Sequence, residues 1–76
     1  MFVFEGRRWF SRKNGNTYHS VRIFLDDKEL AYIPYEYGYD SAYIDTAMKW
    51  ARENYYWSPG DKYRVTVVDV ARKRDL

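Results

Sequence analysis

Arg7-Arg8-Trp9-Phe10-Ser11-Arg12-Lys13-Asn14-Gly15-Asn16-Thr17-Tyr18-His19-Ser20-Val21-Arg22 reads as a β-hairpin. Asn14-Gly15 is its turn signal, because Asn and Gly both accept the positive φ of a tight hairpin turn. Five Arg or Lys side chains and no acid lie in this stretch. Such a surface suits a polyanion or an acidic patch on a protein.

Working outward, residues 2–12 form the first strand, with aromatics at Phe2, Phe4, Trp9 and Phe10 suited to a pleated surface. Gly6 breaks the alternation and predicts a bulge or bend. Residues 17–25 form the second strand. Val21, Ile23 and Leu25 recur at period two and face the core, which turns Tyr18, Ser20, Arg22 and Phe24 the other way. Asp26-Asp27-Lys28 is a short turn, and residues 29–35 form a third strand that Pro34 marks as an edge or an end. Tyr35-Glu36-Tyr37-Gly38-Tyr39-Asp40 reads as a tyrosine-rich loop. Asp40 or Ser41 caps a helix over residues 41–55, whose apolar stripe is Ile44, Ala47, Met48, Ala51 and Tyr55. Tyr43 and Trp50 flank that stripe, and Asp45, Thr46, Lys49, Arg52 and Glu53 form the wet side. Ser58-Pro59-Gly60-Asp61 turns the chain into a fourth strand at residues 62–70. Residues 1–71 make one domain, and 72–76 form a charged tail expected to fray.

The element order is β-β-β-α-β and the fold class α+β, with an antiparallel four-stranded sheet and one helix packed on one face. Val21, Ile23, Leu25, Ile33, Ile44, Ala47, Met48, Ala51 and Val67 are the expected core. The other face then displays Trp9, Tyr18 and Arg22. An uncovered aromatic face calls for a partner, and a homodimer through that face or through the edge of the fourth strand is expected. The alternative is a monomer in which Phe2 or Trp57 folds over the open face.

Seventy-six residues leave room for one core, and a chain this short is marginally stable unless packed well. Three Trp, nine Tyr and four Phe supply bulk. There is no Cys and one His, which excludes a disulfide framework and an ordinary zinc site. No acid cluster has the spacing of a Ca²⁺ loop, so no metal and no cofactor is expected. No apolar run approaches the ~20 residues of a membrane span, and Met1-Phe2-Val3-Phe4-Glu5 is short and acidic for a signal peptide. A cytoplasmic location is expected. The net charge of +2 is mild, but its distribution is uneven. Residues 1–25 carry five cations against Glu5, residues 26–45 six acids against Lys28, and Arg72-Lys73-Arg74 closes the chain. Two poles of opposite sign follow.

His19 is the one candidate general base, but its neighbour Ser20 points to the opposite face of a strand. No glycine pattern matches a phosphate loop or a dinucleotide motif. Nothing meets the geometry of a catalytic site, and the chain is read as non-enzymatic.

Arg8-Trp9-Phe10, Gly15-Asn16-Thr17-Tyr18-His19-Ser20-Val21 and Pro34-Tyr35-Glu36-Tyr37-Gly38-Tyr39 together resemble a family of small proteins of phages and other prokaryotic viruses, across most of residues 7–57. That resemblance implies a viral accessory role, hence a host cytoplasm, and carries no activity. The architecture is also similar to the AP2-type and integrase arm-type DNA-binding domains, which lay sheet residues in the major groove. Arg7, Trp9, Arg12 and Arg22 occupy the corresponding positions, while the fourth strand is extra.

The leading expectation is a nucleic-acid-binding module, for DNA or RNA. Its contacts are Arg7, Arg8, Trp9, Arg12, Lys13, Tyr18 and Arg22 on the hairpin, and Arg72, Lys73 and Arg74 on the tail. The rival is a protein-interaction module that uses Tyr37 and Tyr39 of the tyrosine loop and the open sheet face.

Overall fold

A computed structural model describes residues 1–54, 57 and 60–76. The elements are β1 (Phe2–Ser11), β2 (Asn16–Leu25), β3 (Lys28–Tyr37), α1 (Ala42–Glu53) and β4 (Tyr63–Val70), followed by one 3₁₀ turn, Lys73–Asp75. The fold is α+β, with one four-stranded sheet in the order β3-β2-β1-β4 and α1 packed across β1 and β2. The expected helix end at Tyr55 and the turn residues Ser58 and Pro59 lie outside the described residues.

The sheet is mixed, not purely antiparallel. β1–β2 and β2–β3 are antiparallel hairpins, but β4 runs parallel to β1, from Phe2 opposite Tyr63 to Trp9 opposite Val70. A parallel neighbour needs a crossover long enough to return the chain to the starting end of the sheet. α1 makes that return, so β4 starts beside the beginning of β1.

The first hairpin turn differs in kind from the expectation, and the second is the short turn expected at Asp26-Asp27, with Lys28 already in β3. At the first, only Gly15 has positive φ, and Ser11 and Asn16 close a four-residue loop. The Gly15 amide donates to the Ser11 carbonyl at 2.8 Å, and the Asn16 amide to Asn14 Oδ1 at 3.0 Å. The second hairpin carries the tight turn. Asp26 and Asp27 have φ of 49° and 69°, as a two-residue turn with both residues left-handed demands.

Gly6 is not a bulge, since β1–β2 pairing runs unbroken from Phe2 to Ser11. It makes room for Tyr43 of α1. A Cβ at Gly6 would sit 2.4 Å from Tyr43 Cδ2. Tyr43 is therefore buried in the core rather than flanking it.

The core consists of Phe2, Phe4, Val21, Ile23, Tyr43 and Ala47, with Ala51 also buried. Leu25, Ile33, Ile44, Met48 and Val67 pack around it half-buried. Phe2 and Phe4 were absent from the expected core. They lie on the helix side, as does Trp57, whose ring is 5.7 Å from that of Phe2. Neither Phe2 nor Trp57 closes the open face.

The bulges lie in β3. Ile23 pairs with Ala31 but Phe24 with Glu29, so Leu30 is extra and joins Ala31 in packing on the core. Val21 pairs with Ile33 but His19 with Glu36, which sets Pro34 and Tyr35 together against Ser20. Proline is tolerated at a bulge on an edge strand. β3 thus passes through Pro34 and takes up Tyr35, Glu36 and Tyr37, shortening the expected tyrosine loop to residues 38–41.

The tail, expected to fray, is folded back onto the sheet. The 3₁₀ turn bends back across the open face, anchored to β1 by Arg7 Nη1 donating to the Asp75 carbonyl at 2.8 Å. It is anchored to β3 by the Tyr32 hydroxyl donating to the Leu76 carbonyl at 3.0 Å. Between these anchors it passes over β2, where Ser20 is 1% exposed, and Leu76 itself is only 9% exposed. No described helix is long and apolar enough to cross a membrane.

Candidate nucleic-acid interface

Three strands contribute one row of rings on the face away from α1. Trp9 of β1 stacks on Tyr18 of β2 with centroids 5.8 Å apart and planes 28° apart. Tyr18 stacks in turn on Tyr35 of β3 at 4.8 Å and 14°. Tyr37 meets Tyr18 edge-on at 5.8 Å. The row depends on the bulge at Pro34. Strict alternation would put Tyr32 on one face and Tyr35 and Tyr37 on the other. The extra residue resets the alternation, so all three tyrosines look outward. The Asn14 side-chain amide donates to the Tyr18 hydroxyl at 3.1 Å and ties the hairpin loop to the row.

Cations gather around the rings. Lys73 Nζ lies 4.7 Å over the Tyr35 ring, which brings the tail onto the hairpin face. Arg22 lies 4.2 Å over the Tyr32 ring, and its Nε makes an ion pair with Glu29 at 3.5 Å. Arg7 holds the tail through the Asp75 carbonyl. Arg12 and Lys13 stand exposed on the hairpin loop, and Arg72 and Arg74 exposed on the tail. Loss of water around the Tyr35 phenol, with the Tyr18 hydroxyl close by, pushes its pKa above the ordinary phenol value. The ring under Lys73 is therefore neutral at physiological pH.

Of the residues the sequence singled out, the fold brings Arg7, Trp9, Tyr18, Arg22 and Lys73 to one face. Arg8 goes to the other. Its guanidinium forms a bidentate pair with Asp69 of β4, at 2.8 and 3.3 Å, and donates to the Asp40 carbonyl at 3.1 Å. The hydrogen bond to Asp69 raises its pKa further above the ordinary value. Arg8 is thus committed to joining β1, β4 and the entry to α1. Arg7 and Arg8 are adjacent on a strand, and only one of the two can point outward.

Tyr37 and Tyr39 are 65% and 71% exposed. His19 is buried on the helix side, with Nδ1 3.2 Å from the Gly38 carbonyl and Nε2 2.8 Å from Thr46 Oγ1. Among the described residues, no group of three or more His, Cys, Asp or Glu is placed to hold a metal ion. Tyr32 and Tyr35 escaped the sequence reading of the interface. The one sign of them was Pro34, a residue that inside a strand marks an edge or a bulge.

No family model matches this chain, and no curated protein or solved structure shows significant similarity to it.

Proposed function

We propose that this chain is a non-enzymatic nucleic-acid-binding module whose outward sheet face and tail hold the phosphate backbone. The observation that carries this reading is the placement of Lys73 over Tyr35. It brings the tail onto the sheet face that carries Arg7 and Arg22, so cations far apart in sequence flank one row of rings. Lysine and arginine neutralise phosphates and release counterions, an interaction that needs charge density more than shape. Arg8 is outside this interface, being held by Asp69.

The test is fluorescence anisotropy with labelled DNA and RNA across a salt series. Affinity should fall on a log–log plot with a slope of about −0.9 per duplex phosphate contacted, or about −0.7 for single strands. Replacing Arg72, Lys73 and Arg74 together by Gln should flatten that slope by about two to three contacts' worth. Absence of binding to any DNA or RNA below about 100 μM, the weak end of ordinary nonspecific affinity, overturns the proposal.

A second reading is supported by the exposure of Tyr37 and Tyr39 and by the outer edge of β4, where Val68 is 60% exposed. An edge strand with apolar, β-branched residues and no proline is a template for strand addition. On this reading the chain is a protein-interaction module, its first partner a second copy paired through β4. Sedimentation at two salt concentrations, with and without a short duplex, separates the two readings.

A further inference from the structure

We infer that the notch where β1 outruns β4 receives one unpaired nucleobase, which makes the preferred ligand a single strand. This inference rests on the nucleic-acid reading above. Pairing between β1 and β4 ends at Trp9 and Val70, so Phe10 and Ser11 have no strand partner on that side. At Ala71 the chain leaves the strand and turns toward the open face. The step leaves a notch of about 430 Å³ lined by Trp9, Phe10, Arg12, Val70 and Ala71. That volume falls within the range of small-molecule sites, roughly 300–1,000 Å³.

The lining has the chemistry of a nucleotide. Trp9 and Phe10 are consecutive on a strand, so their rings flank the corner of the sheet from its two sides. Val70 and Ala71 supply an aliphatic wall. Among the described residues of the lining, Arg12 carries the charge, and Arg72 follows Ala71 directly. A flat apolar ring joined to a phosphate satisfies all of these at once.

The middle of the ring row does not offer such a place. Tyr18 is sandwiched between Trp9 and Tyr35, with Tyr37 against it edge-on. Tyr35 has Tyr18 on it and Lys73 over it. Trp9 ends the row, and its ring also borders the notch. A duplex keeps its base faces inside its own stack, whereas a single strand presents them to aromatic side chains.

The test measures anisotropy of labelled oligothymidylate and of a duplex of the same length at one salt concentration. The variant is Ala71→Phe, which fills the notch and keeps every cation. Wild type should bind the single strand more tightly than the duplex. Ala71→Phe should weaken single-strand binding about tenfold, the order of one lost base–aromatic stack, and leave duplex binding unchanged. Should circular dichroism show Ala71→Phe misfolded, Phe10→Leu, which removes the other ring of the notch, replaces it with the same expectation. Unchanged single-strand affinity, or equal losses for both ligands, overturns the notch while the nucleic-acid reading stands. Binding of neither ligand by wild type removes both. Thymidine monophosphate that displaces the oligomer at matched concentration marks a free-nucleotide site and overturns the single-strand assignment.

Discussion

His19 Nε2 lies 2.8 Å from Thr46 Oγ1, and this contact ties the second strand to the helix. The other ring nitrogen faces the Gly38 carbonyl, which can only accept. In the singly protonated ring the proton therefore sits on Nδ1, and Nε2 accepts from the Thr46 hydroxyl. One buried side chain thus joins β2, the connection after β3 and α1.

Thr46→Val should cost about 1–3 kcal/mol, because it keeps the side-chain shape but leaves a buried ring nitrogen without its donor. Thr46→Ser should recover most of that loss. Urea denaturation followed by circular dichroism measures both.

Gly6→Ala should be harmful despite adding a single methyl. The new Cβ would sit 2.4 Å from Tyr43 Cδ2, so the helix must shift or the ring must leave its rotamer. Overpacking of this kind costs about 1–3 kcal/mol. Tyr43→Ala should make the same substitution nearly neutral, giving a large interaction energy in a double-mutant cycle.

Asp27→Gly should stabilise the fold. Asp27 holds φ of 69° in the tight turn between β2 and β3. A left-handed conformation costs an L-residue with a Cβ about 1–2 kcal/mol, part of which glycine returns through its greater freedom when unfolded. A net gain of about 0.5–1 kcal/mol is expected, read as a higher urea midpoint at unchanged slope.

Leu76→Ser should loosen the strap over the open face. Exposing a buried leucine costs about 1.5–3 kcal/mol, and serine recovers none of it. The Asp75 and Leu76 amides now donate to the Arg72 and Lys73 carbonyls at 3.0 and 3.1 Å. Both should exchange with solvent much faster in the variant, while the amides of the β1–β2 ladder keep their protection.

The strands and the helix were legible in the sequence wherever the deciding interactions are short-range. The period-two run Val21, Ile23 names the core face of β2 because alternation is a property of one strand. Ala47 and Ala51 follow from the helical period in the same way. Asp26-Asp27 was legible as a turn because both residues tolerate positive φ.

What only the tertiary structure decided involves residues distant along the chain. β4 contains the same residues whether it runs parallel or antiparallel to β1, and the return path of α1 over the sheet selects the direction. Tyr32, Tyr35 and Tyr37 share a face because β3 bulges against Ser20, a mismatch between two strands that neither reveals alone. Gly6 reads as a break until Tyr43 is laid on it. The tail, charged and polar by composition, is ordered by Arg7, Tyr32 and the burial of Leu76. Composition reports how a segment meets water. Its docking is set by the free energy of contacts with strands 44 to 68 residues away, which exist only once the sheet has formed.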